Sequence, residues 1–157
     1  MSNYSLSFER RIPIGAEQAF RGWTDPELLV QWFTPAPWRT THAEVDRRPG
    51  GIFRTVMQSP DGDEVNDGAG CVLEVVPNRR FVWTSAFGPD YVPNDFSPGG
   101  FPMTVILEFE PVEGGSRYVA TVHHASATDR DAHEQMGFFN GWSAALDQLV
   151  ALYKGGD

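Results

Sequence analysis

The chain has 157 residues, 41% hydrophobic and 21% charged, the composition of one ordinary globular domain with enough apolar material for a core. Its 21 acidic against 12 basic residues, a formal net charge of −9, oppose binding to nucleic-acid phosphates and to anionic membranes. No apolar run approaches the roughly 18 residues of a spanning helix, and the start MSNYSLSFERRIPI lacks a signal-peptide core, so a cytoplasmic protein without membrane insertion is expected.

In chain order, YSLSFERRIPI alternates over Leu6, Phe8 and Arg10 and closes at Pro13, a strand ending in a turn. The period then changes. GAEQAFRGW places Ala16, Ala19, Phe20 and Trp23 at helical spacing, and Asp25-Pro26 restarts a second short helix carrying Leu28, Leu29 and Trp32. After the proline-rich corner TPAPWR come six strand-like runs: HAEVD, GGIFRTVMQ, GCVLEVV, RFVWTSAF, MTVILEFEPV and SRYVATVHH. Their connectors RRPGG, SPDGDE, VPNRR and VEGGS carry the Gly, Pro, Asp and Asn of tight turns, which favours an antiparallel meander of seven strands in all. The first strand is left free to pair with the last runs.

One connector differs. From Gly88 to Pro102 the chain holds four prolines, no period and three aromatics, Tyr91, Phe96 and Phe101, the profile of a lid over an opening, of an ordered or mobile surface loop, or of a dimer interface. The last segment, from Thr128, is expected to be one long helix. Phe138, Trp142, Ala145, Leu146, Leu149 and Tyr153 share its apolar face, with Asp131, Glu134 and Gln135 on the same face earlier, like a plug polar at one end.

Chemistry-bearing motifs are few. Cys71 stands alone in a strand, without disulfide partner or zinc spacing, and reads as a small buried apolar residue. Neighbours His123 and His124 must point to opposite faces of a strand, His133 falls opposite the Trp142 stripe, toward solvent, and HExxM lacks the second His of HExxH. No metal site is therefore expected. GxSxG, the P-loop and GxGxxG are absent, so no nucleophilic hydrolysis or nucleotide cofactor is indicated, and none of the residues demands another cofactor. Asp46, Arg47 and Arg48 before Gly50-Gly51 read as a structural corner.

The order β, α, α, six β, long α resembles the helix-grip fold of the START, Bet v 1 and polyketide-cyclase (SRPBCC) superfamily, an α+β fold. In it a seven-stranded antiparallel curved sheet wraps a long C-terminal helix and leaves a cavity between them. Four motifs carry a closer resemblance to the Hsp90 ATPase activator homologue group: RRIPIGAEQAFRGWTDPELLVQWF, VDRRPGGIFR, GCVLEVVPNRRFVWT and DRDAHEQMGFFNGWSAALDQLVAL. They span nearly the whole chain in the family's order, so residues 1–157 are expected to form a single helix-grip domain. One position departs: relatives often carry a His after the Phe of the MGF segment, and here it is Phe139.

Strand parity and the helix stripe give the expected cavity wall: Trp32, Phe33, Trp38, Phe53, Met57, Trp83, Phe87, Val105, Leu107, His124, Gln135, Phe138, Phe139 and Trp142. The plainer alternative is that these side chains fill a solid core. His124 is the candidate acid, base or ligand-orienting group, with Gln135 and Glu134 as the further candidates. The expected function is binding of a small hydrophobic or amphipathic molecule beneath the Gly88–Pro102 loop. A cyclase- or aromatase-like enzyme using the same cavity is the alternative. A co-chaperone role follows only from the family name: the eukaryotic activator's separate N-terminal domain has no counterpart in this sequence, and Hsp90 contact is not expected.

Overall fold

A computed structural model describes residues 4–97 and 99–155. Seven strands form one antiparallel sheet: β1 (Ser5–Ile12), β2 (Arg39–Val45), β3 (Ile52–Gln58), β4 (Val65–Val76), β5 (Arg80–Thr84), β6 (Met103–Val112) and β7 (Gly115–His124). Their order across the sheet is β1-β7-β6-β5-β4-β3-β2. The meander from β2 to β7 follows from short turns at every step but one, the long connector between β5 and β6, and β1 closes the far edge by pairing with β7, Phe8 opposite Ala120. β4 begins earlier than its apolar run indicates, because the polar stretch from Val65 completes the ladder with β3, Met57 facing Asn66. The helices are α1 (Ala16–Thr24), α2 (Pro26–Trp32), α3 (Ala127–Gln135) and α4 (Phe138–Gly155), with a single 3-10 turn at Pro89–Tyr91.

Local chemistry sets the helix ends. Asp25 caps α2, accepting the Glu27 amide at 3.0 Å, and Pro26 sits at the first helical position, where its missing N–H costs nothing. At the β2–β3 corner, Gly50 adopts φ +85°, and a Cβ on Gly51 would stand 2.3 Å from the Asp46 carbonyl oxygen, so this corner requires glycine. The nearby Asp46 carboxylate pairs with Arg48 at 2.8 Å, the structural role its sequence context indicates.

The outer face of the sheet is polar and laced by arginines that reach to neighbouring strands: Arg54 to Glu44 and Asp67, Arg80 to Glu74 and Glu108, Arg117 to Glu9 and Glu110. Exposed pairs of this kind each contribute little, but they place much of the acidic surplus beside cations. The inner face carries the core: Phe53, Phe81, Trp83, Val105, Leu107, Phe109, Tyr118, Ala120 and Val122 are buried against Phe20, Trp23, Leu29, Phe138, Leu146 and Leu149 of the helices. α4 is fixed to both sides of the grip. On one side Arg10 of β1 reaches Asp147 at 2.8 Å and the Ser143 hydroxyl at 3.1 Å. On the other, Gln148 donates to the carbonyls of Trp32 and Thr34 and accepts the Ala36 amide.

The single long helix expected from Thr128 is instead two. α3 is capped by the Ser126 hydroxyl, which accepts the Asp129 amide, and it ends at Met136; Gly137 follows at φ +95°, a left-handed conformation in which a helix readily stops. α4 then restarts, the Gly141 amide donating to the Gly137 carbonyl at 2.7 Å. The break redirects α3 across the end of the sheet. Side chains placed by a straight helical wheel are therefore misplaced on that segment, His133 most of all.

Candidate functional site

Between the sheet, α4 and the two short helices lies a cavity of about 300 Å³. Its wall is contributed by nearly every element: Trp23 from α1, Trp32 from α2, Phe33 and Pro35 from the following loop, Met57, Trp83, Met103 and Tyr118 from β3, β5, β6 and β7, His133 from α3, Met136 and Gly137 from the break, and Phe138, Gly141, Trp142 and Ala145 from α4. A second hollow of about 510 Å³ adjoins it, sharing Phe33, Met57, Trp83 and Met103, and is rimmed by Asn66, Asp67, Asn94 and Asp95. The inner chamber is aromatic. The outer one has a polar edge.

Sequence parity explains why these residues converge. Phe53 and Trp83 sit on the inner faces of β3 and β5 and stack at 4.3 Å between ring centroids. Trp23 lies at the centre of an aromatic cluster, within 6.5 Å of the rings of Trp32, Phe33, Phe53, Trp83 and Trp142. Its Nε1 donates to the Tyr118 hydroxyl at 2.9 Å, and Trp32 Nε1 donates to the Gly22 carbonyl at 2.9 Å. Trp83 Nε1 is buried and has no acceptor among the described residues. Burial pushes the Tyr118 hydroxyl well above the ordinary phenol pKa, so it is a neutral O–H.

A histidine pair stands at one end. His124 of β7 is buried, its Nδ1 2.8 Å from the Tyr4 carbonyl and its Nε2 2.9 Å from Nδ1 of His133. Phe101 of the long connector lies against both imidazoles, at 5.8 and 5.5 Å between centroids, and Phe138 meets His133 edge-on at 5.0 Å. Desolvation, with the neighbouring His124 adding to it, lowers the His133 pKa to about 4, so it is neutral near pH 7.

Of the wall residues expected from sequence, Trp32, Phe33, Met57, Trp83, Phe138 and Trp142 line the inner chamber, and Phe53 lines the outer one. Others lie elsewhere. Val105 and Leu107 are fully buried in the solid core and line neither chamber; further along the same face of the sheet, Phe20 of α1 packs against Phe81 and Phe109. Phe87 bridges to Pro93 at the root of the long connector, and Trp38, half-buried, precedes β2 outside both chambers. Gln135 and Glu134 are exposed at the end of α3, and the break at Gly137 turns Phe139 outward, 43% exposed with its ring edge-on to Phe138. The departure at Phe139 therefore does not alter the wall. His124 reaches the cavity only through His133, which sequence placed toward solvent and which the α3–α4 break brings inside.

Residues missed from sequence include Trp23, Pro35, Met103, Tyr118, His133, Gly141 and Ala145. Tyr118 shares the parity of His124, and Ala145 lies on the Trp142 stripe, so a legible signal existed for both. The Gly88–Pro102 connector is tied down by Asn94, whose side chain donates to the carbonyls of Ala69 and Ser85, while Phe96 lines the outer chamber and Tyr91 packs over Gly50. Cys71 is buried. Among the described residues, no three His, Cys, Asp or Glu side chains converge, and no helix is long and apolar enough to cross a membrane.

Comparison with known proteins agrees with this architecture. Residues 14–154 match the family model described as activator of Hsp90 ATPase homolog 1-like protein. A crystal structure of a protein from Nitrosomonas europaea is 39% identical, with 99% of this chain and 98% of that one covered and a TM-score of 0.91. A protein from Rhodobacter sphaeroides (24% identity, 99% and 96% covered, TM-score 0.83) and a homolog 1-like protein of the same description from Aeromonas hydrophila (24%, 97% and 94%, TM-score 0.72) share the fold. No curated protein matches significantly. With a family model covering most of its length and a 39% identical relative aligned nearly end to end, the chain belongs to the activator of Hsp90 ATPase homolog 1-like family.

Proposed function

We propose that this protein binds one small hydrophobic or amphipathic molecule in the chamber between sheet and α4. The observation that carries the reading is the chamber itself: about 300 Å³ of space walled by Trp23, Trp32, Trp83, Phe138 and Trp142 where a solid core would otherwise stand. Close packing is the rule in protein interiors, and a hollow of this size lined by large aromatics with a few polar groups has the form of a ligand pocket. At about 25 cal/mol per Å², a few hundred Å² of buried apolar ligand surface offsets the cost of association and leaves affinity in the micromolar range. The polar-rimmed outer chamber supplies a route of entry beneath the Gly88–Pro102 connector and room for a polar end. The family commonly binds hydrophobic ligands, which is consistent with this reading.

A thermal-shift screen of apolar and amphipathic metabolites, paired with native mass spectrometry of freshly purified protein, tests it. Binders that raise Tm and appear as one-to-one mass additions are expected. A protein stabilised by none of them would contradict the proposal.

A further inference from the structure

The histidine pair fixes which hydrogen-bonding partner the chamber accepts. A backbone carbonyl only accepts, so Nδ1 of His124, 2.8 Å from the Tyr4 oxygen, carries a proton. In the neutral ring Nε2 is then a bare acceptor, and the hydrogen that joins it to His133 at 2.9 Å must come from His133 Nδ1. Neutral His133 is thereby locked as the Nδ1–H tautomer, and its Nε2 is left as a lone pair. No described residue donates to that nitrogen, although His133 forms part of the chamber wall.

The remaining polar side chains of the wall are different. The indole nitrogens of Trp23, Trp32 and Trp83 can only donate, and the Tyr118 oxygen already accepts from Trp23 while its own proton has no acceptor among the described residues. Among the described wall residues, His133 Nε2 is thus the one uncommitted side-chain nitrogen acceptor. The rings of Phe101 and Phe138 lie against the His133 imidazole, at 5.5 and 5.0 Å between centroids, and half-bury it.

Resting on the reading of the chamber as a ligand site, we infer that His133 is its polar anchor and that the ligand class is an apolar molecule bearing a hydroxyl donor, a phenol or alcohol, whose O–H points at His133 Nε2. His124 is a positioning residue: it touches no ligand and acts by dictating the tautomer of His133.

Calorimetric titration with 2-naphthol and with 2-methoxynaphthalene separates this inference from the cavity reading, since the two differ by the donor and share the apolar body. The wild type is expected to prefer 2-naphthol by about tenfold, the equivalent of one well-formed hydrogen bond. His133→Phe, which keeps an aromatic ring between Phe101 and Phe138, should abolish the preference and bring the two affinities within about twofold of each other. In the free wild type, ¹⁵N imidazole shifts near neutral pH should show Nδ1–H tautomers for both His124 and His133; in His124→Phe the His133 tautomer is released and the preference for 2-naphthol shrinks. Equal affinities in the wild type, or a protonated His133 Nε2 at neutral pH, would overturn the inference while leaving the cavity reading intact. Failure of both compounds to bind would overturn both.

Discussion

Trp23 Nε1 donates to the Tyr118 hydroxyl across 2.9 Å, joining α1 to the central part of β7 beneath the chamber. Both side chains are about 1% exposed, so neither group has water as a substitute partner. Tyr118→Phe leaves the indole N–H unpaired in the core and is expected to lower stability by about 1–3 kcal/mol. Urea unfolding reads the change, and the double variant with Trp23→Phe should cost less than the two single changes added together. Strict additivity would mean that the bond contributes nothing specific.

Gln148 is the second fastening. Its side chain makes three hydrogen bonds to the Trp32–Ala36 loop, which carries the chamber residues Phe33 and Pro35. Replacing it by Ala is expected to cost about 2 kcal/mol, summed at roughly 0.5–1.5 kcal/mol per bond for a part-buried site. Amide exchange should accelerate in that loop before it does so in the sheet. Uniform acceleration would show the fastening to be global rather than local.

The two glycines around the helix break should respond with opposite sign. Gly137 holds φ +95°, which a Cβ disfavours even though no atom lies within 4 Å of that position, so Gly137→Ala is expected to destabilise by about 1 kcal/mol. Gly141 is inside α4 with a Cβ position meeting only the Pro35 Cγ at 3.9 Å, and Gly141→Ala should stabilise by roughly 0.5–1 kcal/mol through helix propensity. Thermal or chemical unfolding of the pair decides it, and two shifts of the same sign would contradict the assigned break.

Acidification isolates His133. Its folded pKa, about 4, lies below the ordinary 6.5, so between these values the unfolded chain binds the extra proton and the folded one does not. Stability should therefore be fully present above about pH 6.5 and decline as pH falls toward 4. The lowered carboxylates Glu9, Glu44 and Asp67 start from ordinary values of 4.5 or below, so their loss begins later. Across pH 6.5 to 5, His133→Phe should flatten the slope of unfolding free energy, and an unchanged slope would place the titration elsewhere.

The course of the chain was legible wherever one periodicity ran uninterrupted. Alternation in MTVILEFEPV and SRYVATVHH put Phe109 and Tyr118 on the inner face, and Asp25-Pro26 marked the restart of α2. The same alternation could not separate chamber from solid core: Val105 and Trp83 share a face, yet Trp83 lines the chamber and Val105 does not, a fact of tertiary packing. The larger error came from carrying one helical phase through Gly137. The sequence QMG after HE is a helix-ending signal, and reading it would have freed His133 from the solvent side. That His124 engages it was beyond reach, since the contact depends on where α3 crosses the end of β7.

The central claim is that the chamber is an occupied-by-design ligand site, and plugging it tests this most directly. Gly141→Leu sends a side chain from α4 into the space beside Pro35 and Trp142 while sparing His133 and the histidine pair. Calorimetric titration of 2-methoxynaphthalene into wild type and Gly141→Leu should give one-to-one binding in the first and, with the apolar space filled, at least about tenfold weaker binding in the second. Equal binding by a folded Gly141→Leu protein would place the ligand outside the chamber and contradict the account.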